Sequence, residues 1–118
     1  MLYLLCNTQK GGTMTSQFKK GIIELCVLKI IYDHPMAGVE VIEYMKQSLQ
    51  VNENTIYPIL RRLTSQQFFS TYKEDSMIGA PKKVYQITSL GEKHLFQMLE
   101  DWKDFLHDVT TILGGNNA

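Results

Sequence analysis

The chain has 118 residues, 44% of them apolar, with only 3 prolines and 8 glycines. That supports one hydrophobic core and excludes a disordered or collagen-like chain. The 12 basic and 12 acidic side chains cancel overall, but residues 53–88 carry 5 basic and 3 acidic groups and residues 89–118 carry 2 and 5. Bulk charge therefore gives no general attraction to polyanions, while the middle of the chain is mildly basic.

Residues 1–16 read as a flexible leader. Met1 to Cys6 are apolar but lack the basic start and the length of a secretory signal. Met14, after Gly11-Gly12, opens the patterned part of the chain and is a candidate natural start. Residues 17–33 predict a first helix, apolar nearly all round and so buried on most faces. Its apolar run, 21–32, is broken by Glu24 and Lys29 and is too short to span a membrane. Pro35 stops it. A second helix, about 38–49, carries an apolar stripe at Gly38, Ile42, Met45 and Leu49 spacing.

After a short turn at 50–52, Asn52 is positioned to cap a third helix. Ile56, Ile59, Leu60 and Leu63 give it a buried face. Pro58 removes one helical hydrogen bond and is tolerable only near the first turns. Residues 68–72 and 83–87 then read as two strands of a hairpin with a long tip containing Gly79-Ala80-Pro81. Thr88 caps a last helix, 89–113, about 37 Å long at 25 residues. Leu95, Leu99, Trp102, Leu106, Val109 and Leu113 alternate four- and three-residue steps along it, the seam of a helix pair, and Gly114-Gly115 ends it.

The fold class is therefore mainly α with a small β-hairpin: a winged helix-turn-helix over 17–88, a dimerisation helix over 89–113 and a tail over 114–118. In helix-turn-helix geometry the later helix enters the major groove of duplex DNA. Base readout falls to residues near its N-terminus, Asn54, Thr55 and Tyr57; an Asn can bond adenine bidentately. Arg61 and Arg62, with Lys73, Lys82 and Lys83 on the wing, are candidates for phosphate or base contact. Tyr57 could equally pack against the first helix or the wing.

Cys6 and Cys26 have no metal-ligand spacing, and His34, His94 and His107 are scattered. This points to a reduced, cytoplasmic protein with no structural metal. Cys26 reads as core, and His94 and His107 as partly exposed side chains. The sequence contains no Gly-rich phosphate loop, no His-Glu-x-x-His run and no Cys-His pair in a usable frame, so no enzyme activity, catalytic residue or cofactor is expected.

The run Asn54-Thr55-Ile56-Tyr57-Pro58-Ile59-Leu60-Arg61-Arg62-Leu63 resembles the recognition-helix signature of the PadR family of bacterial transcriptional regulators. The run Gly79-Ala80-Pro81-Lys82-Lys83-Val84-Tyr85-Gln86-Ile87-Thr88 is similar to that family's wing, and Gly21 to Leu28 to its first helix. Three positions depart from the family: Asn54 and Gln67 stand where Gly is usual, and Val39 replaces an aromatic residue. Asn substitutes for Gly at positive φ more readily than Gln does. The resemblance implies a repressor-like homodimer of the small subclass, with one long C-terminal helix pairing with its partner's. It also implies that a small aromatic effector can be held near a tryptophan between those helices, which Trp102 matches, with Met98 and Phe105 beside it. Expected partners are thus double-stranded DNA, a second copy of the chain and such an effector, with no membrane. The rival readings are a winged helix used to bind proteins and a ligand sensor with little affinity for DNA.

Overall fold

The computed structural model describes residues 13–114. Residues 1–12 of the expected leader and 115–118 of the tail lie outside them. The first helix, α1 (Thr13–Asp33), starts at the residue after Gly11-Gly12, inside the segment read as leader. Beyond it the order is β1 (Met36–Ala37), α2 (Gly38–Leu49), α3 (Glu53–Ser65), β2 (Phe69–Glu74), β3 (Lys82–Ile87) and α4 (Ser89–Leu113).

The two-residue strand β1 is an addition to the expected hairpin. After Pro35 the chain runs along the free edge of β3, pairing Met36 with Tyr85 and Ala37 with Val84. It turns at once into α2, where the Ala37 amide donates to Glu40 Oε1 at 2.7 Å. The sheet is therefore three-stranded and antiparallel in the order β1-β3-β2. It ties the base of the wing to the start of the helix-turn-helix. In β2 and β3 the register runs from Phe69 opposite Ile87 to Glu74 opposite Lys82, so toward the tip β2 reaches two residues and β3 one residue further than the alternation suggests, and β2 begins at Phe69 rather than Phe68.

The turn from α2 to α3 forms as its residues dictate. Gln50 takes a left-handed conformation at φ 58°, and the amides of Gln50 and Val51 close onto the carbonyls of Lys46 and Met45. Asn52 Oδ1 accepts from the Asn54 amide at 2.9 Å, capping α3. Asn54 is thus an ordinary first-turn residue. Among the described non-glycine residues only Gln50 and Gln67 have positive φ. Pro58 lies in the second turn on the exposed side, and α3 runs through it to Ser65.

Gln67 carries the strain that its side chain leads one to expect. It sits at φ 67° at the end of α3, where the Phe68 amide reaches back to the Leu63 carbonyl at 2.9 Å. A left-handed conformation costs a side-chain-bearing residue about 1–2 kcal/mol.

The core joins α1 (Val27, Leu28, Ile31), α2 (Val41, Met45), α3 (Ile56, Leu60, Leu63), Phe69 and Leu95. Cys26 is only half-buried at its edge, and burial pushes its thiol above the ordinary value of 9.0. Helix α4 is seated by its first turn. The Thr88 hydroxyl accepts from the Gly91 amide at 3.0 Å and donates to the Gln67 carbonyl at 2.7 Å. Gly91 has no room for a side chain, because a Cβ there would stand 2.2 Å from the Phe68 carbonyl oxygen.

Candidate nucleic-acid interface

Two faces of α3 remain after Ile56, Ile59, Leu60 and Leu63 are buried. One, with Tyr57 and Arg61, borders a cleft of about 440 Å³ shared with Gly38 and Val39 at the start of α2 and with Lys82, Lys83 and Tyr85 on the wing. The ring of Tyr57 is placed by packing: the space above Gly38 is bounded by Tyr57 Cε1 and Tyr85 Cε1 at 3.4 and 3.6 Å from where a Cβ would stand. Arg61 is exposed and has no ion-pair partner among the described residues.

Lys83 Nζ lies 5.6 Å from the centroid of the Tyr85 ring, which holds its stem over the cleft. Lys73 stands directly opposite Lys83 in the ladder, so the two ammonium groups leave the same face of the hairpin. Like charges directly opposite one another destabilise a sheet. Lys82 is 3.6 Å from Glu40, both side chains about half exposed. An exposed pair of that kind contributes about 0–1 kcal/mol and is readily exchanged for a phosphate. Arg61, Lys82 and Lys83 thus line a cleft with the rings of Tyr57 and Tyr85, and Lys73 stands beside it on the hairpin.

The other face of α3, with Asn54, Thr55, Pro58 and Arg62, borders a second cleft of about 440 Å³ that α1 closes with Lys20 and Ile23. Asn54 and Thr55 thus stand at the exposed end of α3 but on the side away from the wing. Arg62 stands apart from Arg61 on this face. Its guanidinium is paired with Glu24 of α1 in a half-buried contact, since one step along a helix turns a side chain by about 100°. Lys20 is a cation that the sequence does not connect with this site; its neighbours on α3 lie more than thirty residues on, and no local spacing signals them.

The helix seam divides in the same way. Leu95, expected between chains, is wholly buried in its own chain's core, because α4 begins packed on α1 and β3. Leu99, Trp102 and Met98 are partly buried against that core. Val109 is half-exposed, whereas Leu106 and Leu113 are 45% and 77% exposed and Ile112 is 82% exposed. The candidate ligand residues Met98, Trp102 and Phe105 do come together. With Gly21, Ile22, Leu25 and Asp101 they line a groove of about 430 Å³ between α1 and α4, the Trp102 and Phe105 rings 6.4 Å apart. Among the described residues no cluster of three potential metal ligands occurs, and no helix is long and apolar enough to cross a membrane.

Residues 27–97 match the family model of the transcriptional regulator PadR-like family. Solved structures agree over nearly the whole chain. A PadR-like transcription factor from Bacteroides fragilis is 31% identical, covers 86% of this chain and 99% of its own, and superposes with a TM-score of 0.71. A PadR-like transcriptional regulator from Bacillus cereus is 28% identical, covers 85% and 99%, and gives a TM-score of 0.76. An uncharacterized protein of Lysinibacillus sphaericus is 25% identical over 104 residues, 85% of this chain and 95% of that one. With a three-helix body, a paired wing and one long last helix, the chain belongs to the PadR-like family of transcriptional regulators, DNA-binding proteins of the winged-helix fold.

Proposed function

We propose that the protein is a repressor that binds duplex DNA as a homodimer, reading a pseudo-palindrome with half-sites about one turn, roughly 34 Å, apart. The observation that carries this reading is the cleft between α3 and the wing, where Tyr57, Arg61, Lys82 and Lys83 converge. Arg61, Lys83 and Lys73 hold phosphates and set the register, and Lys82 joins them by leaving Glu40. Asn54, Thr55 and Tyr57, at the exposed start of α3, read base edges. Arg62 is excluded from the contact set because Glu24 already holds it. The second copy is held by the distal half of α4, where Leu106 is 45% exposed and Ile112 and Leu113 are 82% and 77% exposed.

Salt titration tests the reading. Binding to duplexes selected from random sequence weakens steeply with salt, and each of Arg61→Ala and Lys83→Ala shallows the slope of log affinity against log salt by about 0.9. Absence of binding at low salt, or slopes equal to the wild type, would instead favour a winged helix that binds protein.

The α1–α4 groove supports a second element of the proposal, release by a small planar aromatic molecule. Trp102 and Phe105 offer ring faces, Met98 an adaptable wall, and Asp101 a charged rim suited to a cationic ligand. A panel of planar aromatic cations quenches Trp102 emission on this reading; an unchanged spectrum across the panel counts against it.

A further inference from the structure

Side chains from three helices meet at Glu24. Its side chain is only 16% exposed. Oε1 accepts from the Arg62 guanidinium on α3, and Oε2 lies 3.8 Å from Nε2 of His94 on α4, a contact longer than a hydrogen bond. The imidazole is held in place, lying flat on the Phe68 ring with centroids 4.2 Å apart and planes 8° from parallel. Phe68 is the residue through which α3 passes into β2, and its carbonyl accepts from the Thr88 amide at 2.9 Å at the start of α4. The end of the recognition helix and the first turns of α4 are thus fastened at one point, with Glu24 as the polar link between them.

The groove between α1 and α4 adjoins this link on both helices. Ile22 and Leu25, which line it, flank Glu24 on α1, and Met98 follows His94 by one turn on α4. An occupant bearing on Met98 and Trp102 therefore bears on the helix that carries His94. A carboxylate has two arrangements available here: one oxygen on the guanidinium with the other facing His94, as found, or both oxygens on the guanidinium, whose fork matches them. The second becomes favourable when α4 moves His94 away. Two discrete arrangements biased from both ends are what a physical coupling between sites requires.

Resting on the DNA-binding reading above, we infer that Glu24 is a positioning residue for the recognition helix, transmitting the position of α4 to α3 by dividing its carboxylate between His94 and Arg62. It touches neither DNA nor the groove's occupant. Its effect on DNA affinity passes through Arg62, whose hold on Glu24 sets how the last turn of α3 lies on α1.

The test is a mutant cycle on the full chain, read as affinity for one duplex selected from random sequence by the wild type. His94→Gln changes that affinity about three- to tenfold. In a Glu24→Gln background the same replacement changes it by less than about 1.5-fold, because the link is already cut. Should Glu24→Gln fail to fold by circular dichroism, Arg62→Gln serves as the background, since it removes the other end of the link. A purely structural role predicts lowered melting temperature with unchanged affinity of the folded protein, and that result overturns the inference. An equal effect of His94→Gln in both backgrounds overturns it too, while leaving DNA binding intact. A wild type with no affinity for any duplex overturns the DNA-binding reading as well.

Discussion

The winged body and the distal half of α4 treat their apolar side chains in opposite ways. In the body, the stripe of each helix ends in the chain's own core, so that Leu28, Ile56, Leu63 and Leu95 are wholly buried. Past Trp102 the apolar side chains continue, yet Leu106 is nearly half exposed and Phe105, Ile112 and Leu113 are more than half exposed. The body is too small to cover a 25-residue helix from one side. The same heptad seam holds α4 to its own chain at one end, and on the reading proposed above it offers the other end to a second copy.

The comparison is broken most forcefully at its boundary. Leu95→Ala removes a fully buried side chain and lowers the stability of the folded chain by about 2–5 kcal/mol, measured by urea unfolding. Leu106→Asp belongs to the other half. It leaves the body's helix content intact but raises the dimer dissociation constant by at least about a hundredfold, read by sedimentation equilibrium, because a charge enters an apolar seam. Leu99→Asp is the poorer probe of pairing, since Leu99 also packs on its own core. If Leu106→Asp unfolds the body, the division of duties is wrong.

Smaller effects sharpen the contrast within the body. Gln67→Gly relieves a left-handed conformation at φ 67° and stabilises the chain by about 1 kcal/mol in thermal unfolding, with DNA affinity unchanged. Gly21→Ala gives the smallest change in stability, a gain of up to about 1 kcal/mol from helix propensity. A Cβ at Gly21 meets no atom of the described residues within 4 Å, so nothing among them opposes it. A methyl group on the wall of the α1–α4 groove does reduce the space for an occupant. Weaker quenching of Trp102 by planar cations in this variant marks the groove as a binding site.

Where local rules decide, the fold was legible in the residues. Asn52 and Thr88 cap the helices they precede, and Gly114 ends α4 in a left-handed turn. The departure at Gln67 falls on a strained position, whereas that at Asn54 does not, because Asn54 lies inside the first turn of α3. What stayed hidden depends on residues far apart in the chain. The strand β1 is two residues long and exists only because β3 has a free edge beside it. Arg61 and Arg62 are identical in type and adjacent in sequence, but the partner that separates their roles, Glu24, lies 38 residues before Arg62. A heptad pattern likewise states that a leucine is covered, not by which chain, and Leu95 and Leu113 look alike until the body is built around one of them.

The stoichiometry of the complex joins the two halves of the molecule in a single measurement. Sedimentation of the full chain with a duplex selected from random sequence gives two chains per duplex, on two half-sites whose centres lie one helical turn apart. A complex of one chain per duplex, bound as tightly as the wild type and unaffected by Leu106→Asp, would contradict a dimer that the distal half of α4 assembles and the α3–wing cleft sets on DNA.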